Sequence, residues 1–300
     1  MKRKALVCCV LWLTACASPA PETQTRTAAA PPAAVQDIPI RVLTPPPSMP
    51  GPHPAVVILH DCSGLGPRSS GAPLRWADEL TRRGYVVLIP DSFSTRGHAP
   101  GVCTESAVNR AEVSPLRRVR DAYLALAYAR TLPDVDPSRI GVMGGSHGGS
   151  TTLLAMVRDK RDTAAVSAAK LSGFKAAVAL YPRCATRMGD WRANESGVYE
   201  PLAPLLILVG EKDDWTPAEP CRKLTEASRA NGLPVDIKIY PGAQHSFDSS
   251  NPIRYVPNRF NANAVNGRGA TTGGDPAAWE DSIVQVEAFF ARHLGPAPVH

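Results

Sequence analysis

The chain has 300 residues, of which 44% are hydrophobic and 20% charged, and its formal net charge is +6 at pH 7. Three of the positive charges are Lys2, Arg3 and Lys4, and the excess of +3 that remains is too small to predict a surface for nucleic acid or an acidic partner. This length fits one large α/β domain or two small ones. Because no linker-like segment lies near the centre, we expect one folded domain.

The N-terminus has the composition of an export signal. Basic residues 2–4 precede the apolar stretch 5–13, which is too short to span a bilayer as a helix and is typical of a secretory signal peptide. The sequence Leu-Thr-Ala-Cys at its end resembles a bacterial lipobox, which implies cleavage after residue 15 and lipid attachment to the sulfur of Cys16. A plain signal peptide with a coincidental cysteine is the alternative.

The next segment, 16–34, is rich in alanine, proline and threonine. Such a composition cannot bury enough surface to offset the entropy of ordering the chain, so we predict a flexible tether, followed by a folded domain over residues 35–300. We therefore expect an exported protein. It is either anchored in a membrane by its lipid, facing the periplasm or the cell exterior, or soluble in the periplasm.

Four cysteines lie beyond the predicted tether: Cys62, Cys103, Cys184 and Cys221. In an oxidising compartment four cysteines allow three pairings. We expect Cys62–Cys103 and Cys184–Cys221, because each pair lies on loops that follow strands expected to be close in a parallel sheet. Four buried free thiols are the alternative.

Apolar runs and amphipathic segments alternate along the predicted domain. Predicted strands cover 38–43, 55–59, 85–89, 139–143, 176–181, 205–209 and 235–240. Predicted helices cover 73–83 and 150–157, and others begin at Pro115, Pro217 and Pro276, the last capped by Asp275. This alternation predicts a doubly wound, mainly parallel α/β sheet with helices on both faces. Ligands bind such a sheet at the carboxyl ends of its strands.

The helix that begins at Pro115 carries both apolar and charged side chains, and Ser114 is expected to cap it. Helical spacing predicts one apolar face that packs on the sheet, made of Leu116, Val119, Tyr123, Leu126 and Ala127. The charged side chains are then expected to point into solvent: Arg117, Arg118, Arg120 and Asp121.

A Gly-x-Ser-x-Gly turn, from Gly144 to Gly148, joins the predicted strand 139–143 to the predicted helix 150–157. This arrangement is typical of a nucleophile elbow, in which strand and helix pass too close for larger side chains at the glycine positions. Ser146 is the candidate nucleophile. An ordinary glycine-rich turn is the alternative, so the interpretation depends on an acid and a histidine at other strand ends.

Candidate partners of Ser146 follow the sixth and seventh predicted strands. Asp213 and Asp214 follow the former, and His245 follows the latter. A serine hydroxyl needs an imidazole to accept its proton, and the imidazole needs a carboxylate to orient it and stabilise its charged form. The chain order Ser, Asp, His is that of α/β-hydrolase triads.

We prefer Asp213 to Asp214 as the acid of this triad. The sequence Thr216-Pro217-Ala218-Glu219 predicts a helix capped by Thr216, with Glu219 completing a capping box. Asp214 would then lie beside the cap and favour the start of the helix.

Two further groups are candidates for an oxyanion hole. His147 follows the nucleophile, and its backbone N–H, rather than its ring, is expected to be one donor. The loop that begins at His60 is placed to supply a second donor. No histidine pair has metal-ligand spacing, so no metal is expected.

Five short motifs together resemble the dienelactone hydrolase family of α/β-hydrolases: His60-Asp61-x-x-Gly64, Pro90-Asp91, Gly144-x-Ser146-x-Gly148, Gly210-x-x-Asp213-x-x-x-Pro217 and His245-x-Phe247. The resemblance implies a single-domain α/β-hydrolase fold without a cofactor, and it implies Asp213 as the acid. It also implies that the backbone N–H groups of Cys62 and His147 are the oxyanion donors. A Cys62–Cys103 bridge would hold the first of them in place.

The chain departs from this family at two points. The enzymes that give the family its name have a cysteine nucleophile where this chain has Ser146, and they hold a substrate carboxylate with two arginines. Arg96 matches one of these arginines, whereas Ser249 stands at the position of the other. Because half of this anion clamp is missing, a neutral ester is expected to fit at least as well as dienelactone, and Arg96 could instead brace its own loop.

The polar segment 248–274 leaves directly from the loop of His245 and is long for a connection, so we expect it to border the pocket and shape specificity. Trp191, Tyr199 and Trp215 are further candidates for the pocket wall. Packing is the alternative for these loop aromatics.

These patterns predict a serine hydrolase that cleaves carboxylic esters or lactones through an acyl-enzyme. Its partner would be a small-molecule substrate, with no nucleic acid, and a membrane would be contacted only through the lipid at Cys16. A peptidase or polyester depolymerase on the same triad is the enzymatic alternative. The other alternative is a non-catalytic envelope binding protein with a relict triad.

Overall fold

The computed structural model describes residues 38–159, 170, 172–193 and 197–295. The predicted signal segment, the tether and Cys16 lie outside this part of the chain. None of the helices described is both long enough and apolar enough to cross a membrane.

Seven strands form one sheet in the order β1-β3-β2-β4-β5-β6-β7. Only β1 is antiparallel to its neighbour β3, and the other pairs are parallel. This confirms the predicted doubly wound α/β fold. The strands are β1 (Ile40–Leu43), β2 (His53–Leu59), β3 (Val86–Pro90), β4 (Val135–Gly145), β5 (Ala177–Leu180), β6 (Leu205–Gly210) and β7 (Val235–Tyr240).

Helices cover both faces of this sheet. The described α-helices are α1 (Ala72–Arg82), α2 (Pro115–Ala129), α3 (His147–Met156), α4 (Ala218–Ala230) and α5 (Pro276–Leu294). Buried side chains of α2, α3 and α4 share one hydrophobic core, and those of α1 and α5 share the core on the opposite face. Because both faces are covered, every residue of β2 and β3 is buried, which explains their continuous apolar sequences.

Residues 248–274, predicted as one long loop, contain a two-stranded antiparallel sheet. Its strands are β8 (Arg254–Phe260) and β9 (Arg268–Thr272). The side chains of β8 are largely exposed, so this strand lacks the apolar alternation that identifies a half-buried strand in a sequence. This hairpin is stabilised instead by contacts with the loops of the candidate site.

The predicted orientation of α2 was correct only in part: Arg117 and Arg120 are exposed and Leu126 is buried, as expected. Arg118 and Asp121 are fully buried, whereas Leu116 is 69% exposed. The helix therefore turns two of its charged side chains toward the interior. Asp121 accepts two hydrogen bonds from the guanidinium of Arg96, at 2.6 and 2.7 Å, so the buried carboxylate is paired.

Candidate active site

The Gly-x-Ser-x-Gly turn forms a sharp junction between β4 and α3. Ser146 adopts φ 53° and ψ −112°, a conformation that L residues rarely adopt. A Cβ atom on Gly148 would lie 1.9 Å from the carbonyl oxygen of Leu59, and one on Gly144 would lie 2.6 Å from the carbonyl carbon of Gly148. The glycines are therefore required by close backbone contact, as the elbow motif predicts.

Three side chains from different strand ends meet at this turn. The Nε2 atom of His245 lies 2.9 Å from the Oγ atom of Ser146, and its Nδ1 atom lies 2.7 Å from the Oδ2 atom of Asp213. All three residues are buried, with at most 8% of their surface exposed. This is a continuous chain of hydrogen bonds from a carboxylate through an imidazole to a hydroxyl.

The two neighbouring aspartates contact different parts of the molecule. The Oδ1 atom of Asp213 accepts hydrogen bonds from the backbone N–H groups of Trp215 and Thr216, which leaves Oδ2 facing His245. The carboxylate of Asp214 instead accepts hydrogen bonds from the backbone N–H and the hydroxyl of Thr271, both at 2.8 Å. Asp214 therefore hydrogen-bonds the loop after β6 to β9.

Thr216 is a member of the site that the sequence did not identify. Its predicted role as the cap of α4 was wrong, because Pro217 is the N-cap residue and the Thr216 side chain turns inward. Its Oγ1 atom lies 2.9 Å from Asp213 Oδ2 and 3.0 Å from His245 Nδ1, and it donates to the carbonyl oxygen of Tyr181. The Thr-Pro-x-Glu pattern resembles a capping box, so it predicts a helix cap at Thr216 and gives no sign of these contacts with Asp213 and His245.

Both predicted disulfides are present, Cys62–Cys103 and Cys184–Cys221. Cys62 and Cys103 line the cavity beside Ser146. The carbonyl oxygen of Cys62 accepts a hydrogen bond from the N–H of Val102, so the two loops are also joined through their backbones. The loop that carries the candidate donor at Cys62 is thus cross-linked to the segment after β3.

The sequence profile of the dienelactone hydrolase family matches residues 40–294. The chain belongs to the dienelactone hydrolase family. A relative named "Putative carboxymethylenebutenolidase" in Methylorubrum extorquens is 28% identical over 208 residues, covering 66% of this chain and 64% of the relative. The chain therefore matches less than two thirds of that relative's length. A protein of the same name in Yersinia pestis is 26% identical, covering 66% and 70% of the two chains.

Solved structures show the same fold as this dienelactone hydrolase family member. The apo form of Thermogutta terrifontis esterase 2 superposes with a TM-score of 0.58 at 21% identity, covering 87% of this chain and 91% of the esterase. A structure from Klebsiella pneumoniae, titled as a putative dienelactone hydrolase, superposes with a TM-score of 0.59 at 19% identity, covering 85% and 93%.

The arginine expected to match the family's anion clamp does not line the cavity. Besides Asp121, the guanidinium of Arg96 contacts the carbonyl oxygen of Ser92 at 2.9 Å, so Arg96 joins α2 to the loop after β3. Ser249, at the position of the second clamp arginine, does line the cavity. The predicted substrate contact of Arg96 was therefore wrong, and its alternative role as a brace is the one observed.

Of the three candidate wall aromatics, only Trp215 reaches the cavity. Its ring centre lies 4.7 Å from that of His245, and its Nε1 atom donates to the carbonyl oxygen of Phe260 in β8. Trp191 and Tyr199 are buried in the core, where Trp191 Nε1 donates to the carbonyl oxygen of Cys184. The prediction that Trp191 contacts substrate was wrong, because its polar atom is satisfied inside the protein.

The hairpin forms the other side of the cavity, as expected for the segment 248–274. Arg254, Arg259, Thr272 and Gly273 line it. The backbone N–H of Gly273 donates to the carbonyl oxygen of His245, and the N–H of Phe260 donates to the carbonyl oxygen of Cys103. The hairpin is thus hydrogen-bonded to both loops beside Ser146.

Two buried histidines flank the site in their neutral form. Burial, and secondly the charge of Arg118, hold the pKa values of His60 and His147 well below the usual 6.5. His60 accepts a hydrogen bond at Nε2 from the N–H of Ser92, so its Nδ1 carries the proton and donates to the carbonyl oxygen of Asp61 at 2.9 Å. The ring of His60 thus joins the loops after β2 and β3.

We expect the free energy of unfolding to fall as the pH decreases below 6.5. The unfolded chain then takes up protons at His60 and His147 that the folded chain cannot accept, whereas above 6.5 both states are neutral at these positions. The slope reaches about 1.4 kcal/mol per pH unit for each histidine. Urea unfolding of the wild type and of His60→Gln at pH 7.5, 6.5 and 5.5 measures how steeply the free energy of unfolding depends on pH. A wild-type slope no steeper than that of the variant would contradict the assignment.

Proposed function

We propose that this chain is a serine hydrolase that cleaves carboxylic esters or lactones. The observation that carries the proposal is the hydrogen-bonded chain Asp213–His245–Ser146 at the carboxyl ends of three strands. Family membership and the predicted order of the three residues support it as well.

In the first half of the reaction, His245 accepts the proton of the Ser146 hydroxyl through Nε2 while Oγ attacks the carbonyl carbon of the ester. Asp213 orients the imidazole through Nδ1–H and stabilises the imidazolium. Its own position is held by the two backbone N–H groups that bind Oδ1. The protonated His245 then gives its proton to the departing alcohol, and the acyl group remains on Ser146.

In the second half, water replaces the alcohol. His245 accepts a proton from the water, the hydroxide attacks the acyl-enzyme, and the carboxylic acid leaves as Ser146 regains its proton. The backbone N–H groups of Cys62 and His147 would hold the negative oxygen that forms in each half. Cys62 lines the cavity and His147 is the first residue of α3, directly after the nucleophile.

In contrast to the neutral ester expected from the incomplete anion clamp, the charges around the cavity favour an ester that carries an anionic group. Arg68, Arg254 and Arg259 line it. The carboxylate of Asp61, the acidic residue in the same lining, is occupied by hydrogen bonds from Ser63 and Ser70. The Nε atom of Arg259 is buried and, within the described part of the chain, has no hydrogen-bond partner. A substrate carboxylate in the cavity would pair with the guanidinium of Arg259, whose Cζ atom lies over the ring of Trp215 at 5.4 Å from its centre.

Replacing Arg259 with glutamine should reduce this preference for an anionic ester. We expect kcat/KM for 4-nitrophenyl hydrogen glutarate to fall about tenfold, because a charge-assisted hydrogen bond is lost, and that for its neutral methyl ester to change less than about twofold. Release of nitrophenolate reports both reactions. Arg41→Gln, an exposed change on β1, is the matched control. Equal losses on the two esters would contradict the assignment.

We also propose that the protein is exported. The two disulfides support this, since such bonds persist in oxidising compartments. Cleavage after residue 15, lipid attachment at Cys16, a tether over 16–34 and a hydrolase domain from residue 35 remain predictions from the sequence. Mass spectrometry of the mature N-terminus tests for lipid attachment at Cys16. An unmodified Cys16 would contradict the lipoprotein prediction and favour a plain signal peptide.

A fluorophosphonate probe tests the proposed reaction. We expect a single covalent adduct, located on Ser146 by peptide mass spectrometry, and turnover of soluble esters or lactones by the unlabelled protein. Peptides and polyesters in the same panel test the peptidase and depolymerase alternatives. Intact protein that neither reacts with the probe nor cleaves any substrate would favour a binding protein with a relict triad.

A further inference from the structure

Arg118 is a buried cation that the proposed reaction does not use. Its side chain is fully buried, whereas its neighbour Arg117 on α2 is exposed. Burial lowers the pKa of Arg118 to about 10, which still leaves the guanidinium charged at neutral pH. A buried charge costs free energy unless its surroundings compensate it, so its contacts indicate its role.

The guanidinium joins the end of β2 to the start of α3. Its Nη2 atom donates to the carbonyl oxygen of His60 at 2.9 Å, and its Nη1 atom donates to Nδ1 of His147 at 2.7 Å. The Cζ atom of Arg118 lies over the ring of Phe93, 5.1 Å from its centre. One side chain therefore contacts two segments that are far apart in the sequence.

These two segments carry the two proposed oxyanion donors. His147 supplies one donor from its own backbone. On the other side, the ring of His60 donates to the carbonyl oxygen of Asp61, which belongs to the same peptide unit as the N–H of Cys62. A hydrogen bond to a peptide carbonyl polarises its N–H, so this contact strengthens the second donor. Arg118 contacts both His60 and His147.

We propose that Arg118 is a positioning residue for the oxyanion hole. It holds the loop of Cys62 and the residue after the nucleophile in one fixed relation, and it adds a buried positive charge near both donors. Donors that are preorganised need no rearrangement when the negative oxygen forms, whereas small displacements weaken them strongly. The inference rests on the proposed hydrolase function and adds a residue outside the triad to it.

The test compares Arg118→Lys and Arg118→Met with the control Arg117→Met on the same helix. For 4-nitrophenyl acetate we expect kcat to fall about 10- to 100-fold in both Arg118 variants, with KM changing less than about threefold, since ground-state binding does not use the oxyanion donors. Circular dichroism checks that each variant is folded.

A second measurement separates positioning from general loosening of the fold. A boronic acid forms a negative tetrahedral adduct with a serine nucleophile, whereas acetate, the product, binds without forming one. We expect Arg118→Lys to weaken the boronic acid by the same factor as kcat/KM and to leave acetate inhibition within about twofold. Equal weakening of both, or activity equal to the Arg117 control, would overturn the proposal.

Variants of His147 keep the test decisive if the Arg118 variants do not fold. His147→Gln retains an acceptor for Nη1, whereas His147→Leu does not, and both keep the backbone donor. We expect the Leu variant to lose more kcat and more boronic acid affinity than the Gln variant, and equal values would overturn the proposal. A wild type that cleaves no ester and forms no fluorophosphonate adduct would instead refute the hydrolase function itself.

Discussion

Replacing Ser146 with alanine should lower kcat on any ester substrate by about four to six orders of magnitude, because the attacking oxygen is removed while the cavity remains. The change should also abolish the fluorophosphonate adduct. Initial rates with purified protein at high enzyme concentration measure the loss. Activity within about tenfold of the wild type would show that Ser146 is not the nucleophile.

Ser146→Gly provides a matched variant that tests the backbone of the elbow. Ser146 has φ 53°, a region that glycine adopts without strain and alanine does not. Both variants should be inactive, but the glycine variant should have the larger free energy of unfolding, by about 1 kcal/mol. Urea unfolding of the two proteins measures the difference. An alanine variant that is equally or more stable would mean that the turn is not strained at this residue.

Asp213→Asn should lower kcat by about three to four orders of magnitude. The amide can still accept hydrogen bonds from the N–H groups of Trp215 and Thr216, so the loop is retained. It cannot stabilise the imidazolium of His245, and its NH2 group favours the wrong tautomer. KM should change little, since Asp213 is not among the described residues that line the cavity. Steady-state kinetics with a soluble ester measures both quantities.

Asp214→Asn is the matched control, because it makes the same chemical change one residue away. Its carboxylate contacts Thr271 of β9 rather than His245. We expect kcat within about tenfold of the wild type and a higher KM, since the hairpin that borders the cavity is held less firmly. A larger loss of kcat in this variant than in Asp213→Asn would reverse the choice of acid.

The candidate site was predictable in outline because it uses local signals. The turn at Ser146 lies between a strand and a helix, and His245 follows a strand with alternating apolar residues. In a parallel sheet the carboxyl ends of strands meet at one edge, so their order along the chain is enough to bring these residues together. The cysteine pairs followed from the same geometry.

Residues whose role depends on side-chain direction were less predictable. Asp213 and Asp214 are adjacent and chemically identical, yet one faces the imidazole and the other faces the hairpin. Thr216 has the sequence context of a helix cap, but its hydroxyl turns inward to the carbonyl oxygen of Tyr181 and to His245. The local sequence pattern does not show where the hydrogen-bond partner of each side chain lies, because that partner comes from a distant part of the chain.

Arg118 illustrates the same limit for helices. Amphipathic spacing assigns charged side chains to solvent, and this is correct for Arg117. It fails for Arg118 because acceptors from His60 and His147 converge on that side of α2. A buried charge becomes acceptable only when such partners are present, and they are assembled by tertiary packing.

The sequence by itself determined the alternation of strands and helices, the close-packed glycine turn at Ser146, and the order in which Ser146, Asp213 and His245 reach the edge of the sheet. These features depend on residue type and short-range spacing. Only the tertiary structure decided which aspartate contacts His245, that Arg96 braces a loop, that Trp191 is buried, and that the segment after His245 folds into a hairpin. Each of these depends on hydrogen-bond partners that folding brings from elsewhere in the chain.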